Sequence, residues 1–309
     1  MELTKPAFTI LITTKNRIKD LRITLAKCTA LFSYDQVNYI ICDDGSTDGS
    51  SDFISKQYPF IQLIQNKESK GLIYSRNRLL DLVTTPFAIS LDDDAHFITQ
   101  NPLQIISAYF DTNPACGLLA FRIFWGLEEP INTRTNEKNQ LVQSFVGCGH
   151  VWRIEAWRSI ANYPEWFEFY GEEDFASYLL FQNNWSIQYV PDILVQHRVS
   201  LKDRKNDPDY KLRLRRSLRS GWYLLFMFTP LYLVPRKFLY SIWMQLKLKV
   251  FKGELYVLQV LVLAFKDVII NFPKLIKHSN RLSLEQWKVY SQISRAKIHW
   301  QPERKKPIQ

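Results

Sequence analysis

The chain has 309 residues, 46% of them hydrophobic and 14% aromatic, which excludes a disordered protein and suffices for one large α/β domain with an appendage. Cys28, Cys42, Cys116 and Cys148 form no C-x-x-C pair, so neither a zinc site nor a disulfide framework is expected, and they read as buried apolar side chains in a reducing compartment. The net charge of +10 is unevenly placed: residues 1–197 carry 16 Lys+Arg against 23 Asp+Glu, and residues 198–309 carry 24 against 7. An acidic part suits a cation and a basic part suits an anionic partner.

The opening MELTKPAFTILITTKNR has only a short apolar run and no signal-peptide pattern. Phe8–Thr13 is a near-continuous apolar run, as expected of a strand covered on both faces. Leu21, Leu25, Cys28 and Phe32 then recur at helical spacing over 18–32. Tyr39–Cys42 is a second strand, ending in Asp43-Asp44-Gly45-Ser46; a helix follows at about 49–57 and a third strand over Phe60–Ile64. Leu72–Val83 reads as a helix and Pro86–Leu91 as a fourth strand, ending in Asp92-Asp93-Asp94. Strand and helix in alternation predict a doubly wound, mostly parallel sheet flanked by helices. In such sheets ligands bind beyond the C-terminal ends of the strands, which brings Thr13–Arg17, Asp43–Ser46 and Asp92–Asp94 to one crevice.

Residues 115–197 are aromatic-rich and less regular. They contain a Gly147-Cys148-Gly149 turn and a Trp166–Tyr170 run before Gly171-Glu172-Glu173-Asp174. Lys211–Arg219 has five basic residues in nine, followed by apolar blocks at Trp222–Val234 and Leu255–Phe265. Neither block is long enough to span a bilayer. The division predicted is 1–205 for a catalytic domain and 206–309 for a basic, amphipathic helical appendage that associates with membrane or forms oligomers. No nucleic-acid motif accompanies the charge.

Three adjacent carboxylates after a buried strand repel one another and call for a compensating charge. Mg2+ or Mn2+ would supply it and leave positions for diphosphate oxygens; a solvated acidic turn is the other reading. Asp92 and Asp94 share a side if the strand runs through them. In Asp43–Asp48, Asp44 could accept from a base or ribose, while Gly45 and Ser46 serve equally as turn and cap. The aromatic run at 166–170 is either a sugar-stacking surface or core. His197 closes an apolar run and is metal ligand or structural; His96 and His150 are weaker candidates, and His278 and His299 sit in the basic part.

The strings ILITTKNR, CDDGSTDGS, KGLIYSRNRLL, AISLDDDAHF and GEEDF, in this order and spacing over residues 7–200, resemble the family 2 inverting glycosyltransferases of the GT-A fold. The resemblance implies a nucleotide pocket lined by Thr13, Thr14 and Asn16, with Asp44 on the base and Lys70 and Asn77 near the nucleotide or its phosphates. It implies a D-x-D pair, with Asp94 the direct metal ligand, Asp92 nearer the ribose and Asp93 at the variable position. Ala95 stands where many members carry another Asp. Asp174 matches the catalytic base, with Glu173 beside it as rival, and His197 matches a histidine that completes the metal shell.

The expected function is transfer of a sugar from a nucleoside-diphosphate donor, of the UDP or dTDP type by resemblance, to a glycan or polyprenyl-linked acceptor in cell-surface polysaccharide synthesis. The expected place is the cytoplasmic, inner face of the plasma membrane, bound peripherally to anionic lipid, with a homo-oligomer as a further expected partner. A nucleotidyltransferase that forms sugar nucleotides would carry a Gly-rich loop after the first strand, where this chain has TTKNRIKD. A non-catalytic sugar-nucleotide-binding module is the remaining alternative. The Q-x-x-R-W element of processive synthases is absent.

Overall fold

The computed structural model describes residues 7–32, 34, 37–200 and 207–295. Nine strands form one sheet: β1 (Phe8–Thr14), β2 (Val37–Asp43), β3 (Gln62–Gln65), β4 (Phe87–Asp92), β5 (Ala95–Phe97), β6 (Cys116–Trp125), β7 (Gln140–Leu141), β8 (Gly149–Arg153) and β9 (Ser186–His197). Their order is β3-β2-β1-β4-β8-β6-β9-β5, with β7 also on β9. β1, β2, β3, β4, β6 and β9 run one way, and β5, β7 and β8 run against them. The sheet is therefore mostly parallel, with antiparallel β8 at its centre. The stretch 115–197 is more regular than its sequence suggested, since it supplies four of the nine strands.

Period-two alternation splits the core into two layers. Ile10 and Ile12 of β1 join Leu21 and Leu25 of α1 (Ile18–Lys27), Ile54 of α3 (Ser50–Gln57) and Ile106 of α5 (Pro102–Thr112). Leu11 points the other way, to a layer containing Ile73 and Leu79 of α4 (Leu72–Asp81) and Trp152 of β8. The helix expected over 18–32 is divided at Cys28 into α1 and a single turn, α2 (Thr29–Phe32). The remaining helices are α6 (Ile154–Arg158), α7 (Glu172–Gln182), α8 (Tyr210–Phe228), α9 (Val234–Leu248), α10 (Tyr256–Ile270), α11 (Phe272–Lys277) and α12 (Leu284–Gln292).

The expected boundary at 205/206 lies outside the described residues. Beyond it, Trp222, Tyr223, Met227 and Phe228 of α8 are buried in the same layer as Trp152, Phe167 and Leu180. Each large apolar side chain buried contributes roughly 1.5–3 kcal/mol, so α8 is part of the core. Part of the charge cluster at 211–219 is correspondingly paired within the chain. Arg215 grips Asp267 of α10 with two N–H groups, at 2.7 and 2.5 Å, and Arg219 donates to Glu168 at 2.9 Å. Those two cations are not available to a lipid surface, contrary to the expectation for the whole cluster. Among the described residues no helix is long and apolar enough to cross a membrane.

Candidate nucleotide and metal site

Beyond the C-terminal ends of β1, β2 and β4 lies a cavity of about 730 Å3, walled by Thr13, Thr14, Asp44, Lys70, Asp92, Asp93, Asp94 and His197. That is the size range of small-molecule sites. The strand does not run through the acidic triplet: β4 stops at Asp92, and Asp93 and Asp94 form a turn into β5. Asp92 and Asp94 nevertheless converge with His197, offering ligand atoms within 4.8 Å of one another. The register explains how. Ala95 pairs with His197 across β5 and β9, and the Arg198 N–H donates to the Asp94 carbonyl at 2.9 Å, which fixes His197 beside Asp94. Ala95 itself is fully buried.

His197 Nε2 stands 3.0 Å from Asp94 Oδ1. Burial opposes a charge on the ring, but Cys148 and Asp94 beside it push its pKa up to about 11. Asp94 is buried, and its carboxyl is held below the ordinary range by His197 and Arg17. Its buried Oδ1 faces His197 Nε2 as an ion-pair contact without hydrogen-bond geometry, and a buried carboxylate oxygen so placed calls for a further partner. Two carboxylates and an imidazole suit Mn2+ or Mg2+, so these residues fit a divalent ion. Asp93 does not face that cluster. Burial raises its carboxyl to about 7, against the pull of Arg17; Thr14 Oγ1 donates to it at 2.8 Å, and Arg17 Nε lies 3.3 Å away.

The other expected residues divide. Asp44 lines the cavity, but its carboxylate accepts from Asn66 Nδ2 at 2.8 Å, Ser69 Oγ at 2.6 Å, Lys70 N at 2.7 Å and Gly71 N at 2.9 Å. It therefore anchors the 66–71 loop, and those bonds hold its pKa low despite burial. Gly45, at φ +75°, makes this possible, since a Cβ there would come within 2.9 Å of the Ser69 nitrogen. Asn16 is exposed and ties its loop to Thr47, accepting from the Thr47 N–H at 2.7 Å. Asn77 is buried and brackets Tyr163, donating to its carbonyl at 2.9 Å and accepting from its N–H at 3.0 Å. Neither Asn16 nor Asn77 lines the cavity.

Glu173 and Asp174 part company in the first turn of α7. Arg76, buried on α4, bridges the acidic groups: its Nη2 donates to Asp92 Oδ1 at 2.8 Å, its Nη1 donates to Glu172 Oε1 at 3.0 Å, and Glu173 Oε1 lies 3.9 Å from Nη1. Glu173 is thus one guanidinium behind Asp92. Burial and the neighbouring Glu172 push its carboxyl up to about 8. Asp174 is solvent-accessible and lines a second cavity.

The sequence reading missed Arg17, Arg76, Arg213 and Arg216. Arg17 shields Asp93 and Asp94, Arg76 shields Asp92, and Arg213 and Arg216 reach the cavity from α8. Their signal was present in the KNR and SRNR strings and in the spacing of 213 and 216, three apart on one helix face. Of the aromatic run, Phe169 lines the cavity, whereas Phe167 is core and Trp166 packs on Tyr223, with ring centroids 5.0 Å apart. His96 is held by Arg198 at 2.7 Å, and His150 is buried among Phe145 and Trp152. Neither joins the metal cluster. All four cysteines are buried and free.

Solved structures share this fold. A mannosyltransferase from Pyrobaculum calidifontis, in complex with GDP-Man and Mn2+, is 16% identical with a TM-score of 0.53, over 71% of this chain and 62% of that one. GalNAc-T7 with UDP, GalNAc and Mn2+ is 14% identical with a TM-score of 0.54, over 70% and 48%. TarS of S. aureus in complex with UDP-GlcNAc is 15% identical with a TM-score of 0.52, over 70% and 66%. The chain spans less than two thirds of the length of each. No curated protein matches it by sequence. The family model described as "Glycosyl transferase family 2" matches residues 9–164, a span that holds the first eight strands and the acidic turn of the cavity, and the chain belongs to that family.

Proposed function

We propose that the chain is an inverting glycosyltransferase that moves a sugar from a nucleoside-diphosphate donor to an acceptor hydroxyl and depends on Mn2+ or Mg2+. The observation that carries this reading is the convergence of Asp92, Asp94 and His197 on one wall of a cavity whose α8 side presents Arg213 and Arg216. A bound ion would neutralise charge developing on the departing diphosphate. Arg213 and Arg216 offer planar N–H forks to phosphate oxygens. The Asp44-anchored loop 66–71 presents Lys70 to the same space. The structures bound to GDP-Man, UDP and UDP-GlcNAc support a nucleotide-sugar donor.

Inversion requires a base that takes the acceptor proton on the side of the sugar away from the leaving group. Glu173 fits this role better than Asp174. It lies 3.9 Å from Arg76, which donates to Asp92 on the wall of the first cavity, and it is followed in the chain by Asp174 on the wall of the second. Its raised pKa is what a base working near neutrality requires.

The acceptor proposed is a glycan or lipid-linked saccharide met at a membrane. α10 exposes Leu258, Val262, Phe265 and Ile269, with its N-cap Leu255, as one stripe at helical spacing, beside exposed Leu239, Tyr240 and Trp243 of α9. Phe238 and Phe265, with ring centroids 6.2 Å apart, join the two helices. Exposed Lys247, Lys252 and Lys266 border the stripe. An apolar band edged with lysines is the composition of an interfacial surface, with roughly 1 kcal/mol from each lysine near anionic lipid.

The deciding experiment screens UDP-, dTDP- and GDP-sugars for Mn2+-dependent thermal stabilisation. The native chain is expected to be stabilised by one donor class, and Asp94→Ala is expected to lose the metal-dependent part. An unchanged shift in the variant would remove Asp94 from the ion's ligands.

A further inference from the structure

The second cavity, of about 400 Å3, is walled by Asp174 and Tyr178 of α7 together with residues of α8, α9 and α12. We infer that it is an acceptor subsite for a sugar ring bearing an anionic group, a carboxylate or a phosphate; this rests on the glycosyl-transfer reading above. Three features of the wall select that chemistry. Tyr178, Tyr290 and Trp287 give it ring faces, with Tyr178 and Tyr290 centroids 4.8 Å apart. Aromatic faces of this kind take the apolar C–H side of a sugar. Asp174, Ser144 and Gln143 supply acceptors and donors for hydroxyl groups.

The third feature is charge. Lys237 of α9 and Arg295 also line the cavity, against the single carboxylate of Asp174. Among the described residues neither Lys237 nor Arg295 is in an ion pair; the Lys237 ammonium sits over the Trp287 ring at 4.9 Å. Two cations and one carboxylate around one water-filled space leave an excess positive charge, and burial and the neighbouring cations Arg295 and Arg236 hold the Lys237 pKa below its usual value. An anion would relieve that repulsion.

The walls are fixed in advance. Gln143 Nε2 donates to the Tyr290 carbonyl at 2.7 Å, and the Tyr290 hydroxyl donates to the Gln143 carbonyl at 3.2 Å. A capping box at Ser283 and Gln286 starts α12, which carries Trp287 and Tyr290. A site held by bonds of this kind binds with little ordering cost. Its position suits the reaction, because Asp174 on its wall is the chain neighbour of Glu173.

Saturation-transfer NMR on the full chain tests the inference with three probes: a disaccharide containing a uronic acid, a hexose 1-phosphate, and a neutral disaccharide. Either or both anionic probes are expected to bind at least fivefold tighter than the neutral one, and the two anionic arms tell carboxylate from phosphate. Trp287→Ala and Lys237→Gln, each checked for a native melt, are expected to weaken that binding at least fivefold. No binding by any probe, equal binding of the neutral sugar, or unchanged binding in both variants would overturn it. Mn2+-dependent binding of UDP-, dTDP- and GDP-sugars, measured in parallel on the native chain, reports on the donor reading alone. Its failure there would sink that reading without touching the cavity result.

Discussion

Gly147 sets the position of Glu173. A Cβ at residue 147 would collide with Glu173 Oε1 and come within 2.9 Å of Arg76 Nη1. Gly147→Ala is therefore expected to cut kcat by tenfold or more while donor binding stays close to native, read by steady-state kinetics beside UDP titration. Glu173→Gln is expected to cost about 10²–10⁴-fold in kcat, the usual weight of a general base; retention of full activity would return the role to Asp174. The pH profile follows from the same group. A base works only when deprotonated, so kcat/KM is expected to rise with pH and level off above about 8, the value to which burial and Glu172 push Glu173. Glu173→Asp should move that inflection, whereas a structural role would leave it in place. Asp44 stands apart from the chemistry. Asp44→Ala leaves the N–H groups of Lys70 and Gly71 without their acceptor, at about 1–3 kcal/mol for each buried group that stays unpaired, which a lowered Tm would register.

Among elements, α8 shows most clearly what periodicity conceals. Its basic cluster reads as a lipid-facing patch in one dimension, yet the helix distributes it three ways: Arg215 to Asp267, Arg219 to Glu168, and Arg213 and Arg216 to the donor cavity. Arg213→Gln and Arg216→Gln are each expected to raise donor KM roughly tenfold through loss of a charge-assisted hydrogen bond, with kcat less affected. The parallel half of the sheet was legible because buried strands are apolar runs with abrupt polar ends. Thr13, Thr14, Asp44, Asp92, Asp94 and His197 could be placed in one crevice for the same reason. Asn16 and Asn77 could not, because a polar residue beside a motif looks alike whether it binds a ligand or pins a loop. Which of Glu173 and Asp174 opens onto the second cavity was equally hidden, since adjacent residues on a helix differ by roughly 100° of rotation. Three residues with positive φ, Glu168, Tyr170 and Gly171, lead into α7 and fix that rotation.

At the scale of the whole molecule, one core layer of the sheet is shared with the α8–α11 helices, and the apolar stripe lies on the helical side. Val262→Glu with Ile269→Glu is expected to abolish sedimentation with vesicles containing phosphatidylglycerol, without lowering Tm, because both side chains are already exposed. Pelleting unaffected by these changes would remove the stripe from any lipid contact. Lys237, on the wall of the second cavity, and exposed Tyr240 are three residues apart on α9, about 4.5 Å along the helix axis. With that face laid on a bilayer, the cavity becomes a short ruler measured from the lipid surface. For the lipid-linked acceptor proposed above, only the sugars nearest the headgroups would fall within its reach, and mass spectrometry of the product is expected to find a single added unit.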